Sequence, residues 1–283
     1  MTSSAASQLS WTRSDPEQSL AFRGGRFTSV NTFCSVLLAA LMSAAFYAAL
    51  VPLHGLFINT TFTERGIIPY TIVALFCWGL AIVGLKFLKL RLQKRSLQLQ
   101  IVPDHPEWVL SPATVNEVTE RMHAVVDEPK RFTLFNRIAI ALSNLRNLGR
   151  VSDVDDILRS QAAQDESSMA TSYTLLNVCV WAIPVLGFIG TVQGLSQAIG
   201  GFGNVLATTA ELSQIKSSLQ VVTVGLSVAF ETTLQGLVAA LVLQMLLSWL
   251  KKSEEEFLDA CSEYCLWHIV GRLRLMPLEG DDA

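Results

Sequence analysis

The stretch YTLLNVCVWAIPVLGFIGTVQGLSQAI (residues 173–199) decides the fold. No Asp, Glu, Lys or Arg occurs between 167 and 210. A helix rises about 1.5 Å per residue, so roughly 20 apolar residues cross a hydrocarbon core of about 30 Å. Working outward, residues 27–53 and 66–85 are equally free of charge, and from 217 to 250 the only charged residue is Glu231. Four spans follow, at about 33–53, 66–85, 173–199 and 219–250. The whole chain of 283 residues agrees: 51% is hydrophobic and 16% charged, with mean hydropathy +0.40, whereas soluble domains run nearer one quarter charged. The reading is an all-α integral membrane protein, which excludes the ordinary soluble enzyme. A net charge of −3 offers no general attraction for nucleic acid.

Basic residues orient the spans. Arg13, Arg23 and Arg26 precede the first, Lys86, Lys89, Arg91, Lys94 and Arg95 follow the second, and Lys251 and Lys252 follow the fourth. The segments on the other side, 54–65 and 200–218, hold only Arg65 and Lys216, so 19 of the 21 basic residues share one side. By the positive-inside rule both termini and the loop 86–172 are expected in the cytoplasm. The first span is expected to stay in the mature protein, since about thirty residues precede it and no A-x-A-like site follows it. Residues 1–29 read as a flexible cytoplasmic arm, 30–85 as a first transmembrane pair, and 253–283 as a cytoplasmic C-terminal helix and tail.

Within the loop 86–172, IVPDHPEWVLSP (101–112) carries three prolines and reads as an extended connector. A helix capped by Ser111 or Thr114 runs on towards Glu128, and Pro129 ends it. Apolar residues then recur with helical spacing from Leu134 to Leu148, and a further helix is expected from Ser152 into the third span, packing on 132–148. Neither a Gly-rich phosphate cradle nor catalytic-triad spacing occurs, so the loop is expected to be a collar or docking surface. Cys261, Cys265 and His268 fall on one helix face; three residues without a fourth ligand read as packing rather than metal binding, and no cofactor is expected.

The polar residues of spans three and four carry the functional signal. Gly187, Gly190 and Gly194 form a bare stripe that lets another helix approach closely, beside Thr191. Pro184 removes one helical hydrogen bond and can bend the helix. On span four, Thr223, Ser227, Glu231 and Gln235 recur every fourth residue as one polar line, widened by Thr232 and Thr233. A carboxyl inside a span is costly and usually faces an interior or a wet cavity, so Glu231 is either part of an ion path or a structural hydrogen-bond partner. The hydroxyls could line a crevice or bond back to their own helix.

WAIPVLGFIGTVQGL (181–195), followed after an outer loop by LSVAFETTLQGLV (226–238), resembles the MotA/TolQ/ExbB proton-channel family over about 173–252. The count of four spans, with the long loop placed between spans two and three, is similar to the MotA arrangement. The resemblance implies a homopentamer around two helices from a MotB/TolR/ExbD-like partner, with Thr191, Thr233 and Pro184 at the family's threonine and proline positions. The expectation is therefore a ring-forming subunit of a membrane motor driven by protons or sodium. Its ion path is lined by Thr191, Thr223, Ser227, Glu231, Thr232 and Thr233. The alternative is a non-conducting scaffold whose loop recruits another protein.

Overall fold

The structure, a computed structural model, describes residues 9–273 apart from 20–21, 23, 54, 104–107, 112, 149–150 and 207–211. The first eight residues of the arm, the tail 274–283, part of the proline-rich connector and five outer-loop residues therefore lie outside the described residues. Among the described residues ten α-helices follow in order: α1 Trp11–Ser14, α2 Pro16–Ser19, α3 Thr32–Leu50, α4 Phe57–Thr63, α5 Ile68–Arg95, α6 Val115–Val125, α7 Thr133–Leu148, α8 Val151–Ser172, α9 Thr174–Leu206 and α10 Leu212–His268. Two isolated bridges, Leu9 with Val126 and Leu110 with Leu273, are the only β pairings among the described residues. Helices α3, α5, α9 and α10 are long and apolar enough to cross a membrane, so the chain is an all-helical, multi-pass membrane protein. At 57 residues, α10 is about 85 Å long, far more than a bilayer core requires.

The chain divides into two units. One comprises the arm (Met1–Asn31), the loop (Leu85–Tyr173) and the C-terminal region (Leu250–Ala283); the other comprises Thr32–Gly84 and Thr174–Trp249. The sequence pattern treats arm, loop and tail as separate segments, whereas the contacts make them one.

The described part of the arm is not the flexible leader its composition suggests. Trp11 is fully buried, its ring set edge-on to Phe132 with centroids 5.2 Å apart. Asp127 fixes the same turn, accepting from the Trp11 backbone N–H at 2.9 Å and the Ser10 hydroxyl at 2.8 Å. Glu17 accepts from Lys89 Nζ at 2.6 Å and from the backbone N–H groups of Gly25 and Asn31 at 3.0 and 2.7 Å. An indole and a carboxylate with specific partners hold a segment that serines alone would leave loose. Next to Glu17, burial pushes the Asp15 carboxyl up from its usual range, against the opposing charge of Lys89.

Helix α7 packs on α8 as its apolar spacing requires, with Phe135, Ile138 and Leu142 buried. Arg137 crosses to Asp165 of α8 at 2.6 Å and to Ser262 Oγ of α10 at 2.7 Å. Glu254 of α10 accepts from Tyr173 Oη at 2.6 Å and from the Thr28 hydroxyl, and lies 3.3 Å from Lys86 Nζ. Helix α8 begins at Val151, one residue before the expected Ser152 cap, and only Tyr173 separates it from α9.

Candidate functional site

The span unit joins α9 to α10 through small residues on both helices. A methyl group built on Gly194 would stand 2.6 Å from the Gly225 carbonyl and 2.9 Å from the Ala229 nitrogen; one on Gly187 would meet the Thr232 carbonyl at 3.0 Å. The contact is reciprocal, because Gly225 meets the Gly194 carbonyl at 2.8 Å and Gly236 meets the Ile183 carbonyl at 3.0 Å. Backbone therefore lies on backbone, the arrangement available to apolar helices that gain little from burying side chains in lipid. Gly225, Ala229 and Gly236 complete the seam and are not among the residues the sequence pattern singles out. Their signal is their spacing, with Ala229 four residues after Gly225 and Gly236 seven further on. Helix α9 continues through Pro184.

This close approach sets two threonines together. Thr191 of α9 and Thr233 of α10 share a hydroxyl–hydroxyl hydrogen bond. Each hydroxyl also lies within hydrogen-bonding distance of the same two carbonyls, Gly187 O and Ala229 O, at 3.1 to 3.3 Å. Gly187 and Ala229 each precede one of these threonines by four residues, so a bare or nearly bare position opens beneath each hydroxyl. Two hydroxyl protons serve five candidate bonds: one hydroxyl donates to the other, and the second donates to a carbonyl. The direction of the pair can be reversed by rotating both hydroxyls, without moving either helix.

The remaining sequence candidates separate. Thr232 is fully buried, donates within α10 to Val228 O at 2.9 Å, and lies directly against Gly190; within this chain it is a packing residue rather than a lining one. Thr223 is exposed and bonds back to Leu219 O at 2.7 Å. Ser227 donates to Glu231 Oε1 at 2.6 Å, and Gln235 Nε2 donates to Thr61 O at 3.0 Å.

Glu231 departs most from a pore-lining expectation. Arg65 grips both carboxylate oxygens, Nε to Oε2 at 2.9 Å and Nη2 to Oε1 at 3.0 Å, a forked geometry stronger than a single charged contact. The polar line of α10 is thus tied to the segment between the first two spans, through Arg65 and Thr61. In the sequence Arg65 counts only as a charge on the outer side. Its available signal is position, a lone arginine directly before the second apolar run.

Elsewhere, Cys261 and Cys265 are buried; burial pushes both thiols up to about 12, which disfavours the thiolate a metal needs. His268 stacks on Tyr264 with centroids 4.3 Å apart. Among the described residues no three His, Cys, Asp or Glu side chains gather closely enough to hold a metal ion.

Four apolar helices, two of them joined by a glycine seam that holds a half-buried hydroxyl pair, define a multi-pass membrane protein with a polar contact inside its spans. Residues 132–263 match the model of the MotA/TolQ/ExbB proton channel family. The matched segment covers α7, α8, α9 and most of α10. Comparison with curated proteins and with solved structures returned no match.

Proposed function

We propose that the chain is the ring-forming subunit of an ion-driven membrane motor, conducting protons alongside a MotB/TolR/ExbD-like single-span partner and turning that flow into rotation or mechanical work. The observation that carries this reading is the Thr191–Thr233 pair in the seam of the family segment. A reversible hydroxyl pair can take a hydrogen bond from one side and offer one on the other, which suits a path that must not trap its ion. The apolar faces left open on the same two helices support assembly: Trp181, Phe188 and Ile199 on α9, and Phe230, Leu241 and Met245 on α10, are each more than 60% exposed. Five copies around a partner dimer would cover part of this surface. The basic segments would lie in the cytoplasm. One proton falling through about 100 mV releases about 2.3 kcal/mol, enough to bias a step between near-equivalent packings of a ring.

The test is proton flux in vesicles containing the chain and its partner, followed with an entrapped pH-sensitive dye. Thr191→Val and Thr233→Val keep shape and remove the hydroxyl. Each is expected to leave assembly and membrane level normal and to remove most of the flux. Full flux from both variants would overturn the path, and a monomeric mass by native mass spectrometry would overturn the ring.

A further inference from the structure

The span unit contains a cavity of about 630 Å³ bounded by α3, α4, α5 and α10. Ile72, Val73 and Cys77 form a buried floor, while Leu234, Val238 and Val242, a single i, i+4, i+8 stripe of α10, form an exposed rim. Phe46 of α3 and Phe62 of α4 meet edge-on at 5.3 Å and close another wall. We propose that this cavity is a binding site for one acyl chain of a membrane phospholipid.

Its chemistry and its place within the spans favour a hydrocarbon occupant. Water needs two to four polar partners in a cavity. Here Gln235 alone supplies a strongly polar group: its amide nitrogen is committed to Thr61 O, and its Oε1 is buried without a partner. A transmembrane helix of a second copy seated on the rim would instead shield residues 72–80 and 234–242 from lipid and leave them unlabelled in the experiment below, which would overturn the proposal. A single protruding side chain would leave most of the space empty. A flexible hydrocarbon chain suits the site, because it is apolar, narrow and already present beside the exposed rim. The volume also falls in the range of about 300–1,000 Å³ typical of ligand pockets. The site uses neither Thr191 nor Thr233 and stands or falls apart from the ion path.

The experiment reconstitutes the full chain in vesicles of phosphatidylethanolamine with a minority of phosphatidylglycerol, doped with a phospholipid carrying a diazirine midway along one acyl chain. After illumination, adducts are mapped by peptide mass spectrometry. Adducts are expected to concentrate on residues 72–80 and 234–242. Ala239→Phe and Ala45→Leu, which fill the cavity from different helices, are each expected to reduce them several-fold while leaving adducts on the open face of α3 (Val36, Leu37, Leu41) unchanged. Adducts spread evenly over all exposed apolar faces, or undiminished in both filled variants, would overturn the site. Should either variant fail to fold, the map on the unaltered chain decides alone.

Discussion

In the arm–loop–tail unit, Lys89–Glu17, Lys86–Glu254 and Arg137–Asp165 have side chains no more than 4% exposed. In the span unit the polar groups at the α9–α10 seam are buried or half-buried hydroxyls bonded to helix carbonyls, and its ion pair, Arg65–Glu231, keeps 18% and 12% of its side chains open. The difference follows from what each environment offers a polar group. The first unit contributes helix ends, turns and backbone carbonyls that can complete a buried charge, as Glu17 shows with two backbone N–H donors besides its lysine. Apolar helices consume their own backbone groups, so a small hydroxyl can be satisfied there locally while an ion needs a partner from another segment. One unit therefore specifies its fold through charge pairs; the other does so through absent side chains.

The sharpest way to break the first half of that contrast is to remove one charge. Lys89→Met leaves Glu17 buried with no counter-charge, and loss of one partner from a buried pair costs about 3–5 kcal/mol. A large fall in the melting temperature of the detergent-solubilised protein is expected. Adding Glu17→Met should cost less than the two single losses together, because the stranded carboxylate is gone. Strict additivity would show that the pair does not interact.

The corresponding lesion in the span unit adds a side chain. Gly194→Val places its Cβ against two backbone atoms of α10, at 2.6 and 2.9 Å, where no rotamer change can relieve it. Overpacking of this kind costs about 1–3 kcal/mol, and α9 and α10 should separate enough to lower the level of folded protein in the membrane. Gly84→Ala, where nothing lies within 4 Å, is the control expected to change little. Equal tolerance at both positions would remove the seam as a determinant of the fold.

What is legible in the sequence follows the same division. Charge-free runs announce spans because every residue in them obeys one solvent; Thr191 stands out beside the glycine stripe and Thr233 beside the polar line, but matching them to each other rests on the family resemblance. The arm is not legible. Trp11 and Glu17 find Phe132 and Lys89 across long stretches of chain, and no local pattern encodes such a pairing. Arg65 and Glu231, 166 positions apart, are each visible alone, one as an orientation signal and one as an acid in a span. Their union requires the tertiary fold to bring the 54–67 segment over α10.

That union yields the most discriminating expected effect. If Glu231 carried protons itself, Glu231→Gln would remove proton flux while Arg65→Gln, lying outside the path, would leave flux intact. The geometry favours a latch. Both carboxylate oxygens are occupied by one guanidinium, Ser227 adds a third bond to the same group, and Gln235 holds the neighbouring Thr61 carbonyl. A latch has a different signature, because either substitution breaks the same bond. Arg65→Gln and Glu231→Gln are each expected to lower stability by about 2 kcal/mol, in the range for hydrogen bonds to charged groups. The double variant should then be little worse than either alone, since the second substitution removes a partner that is already unpaired. Flux per folded complex should persist in all three. Measured by melting in detergent and by dye flux side by side, a stable Glu231→Gln protein without flux would move the carboxyl from the latch into the ion path, and would leave Arg65 as its positioning residue.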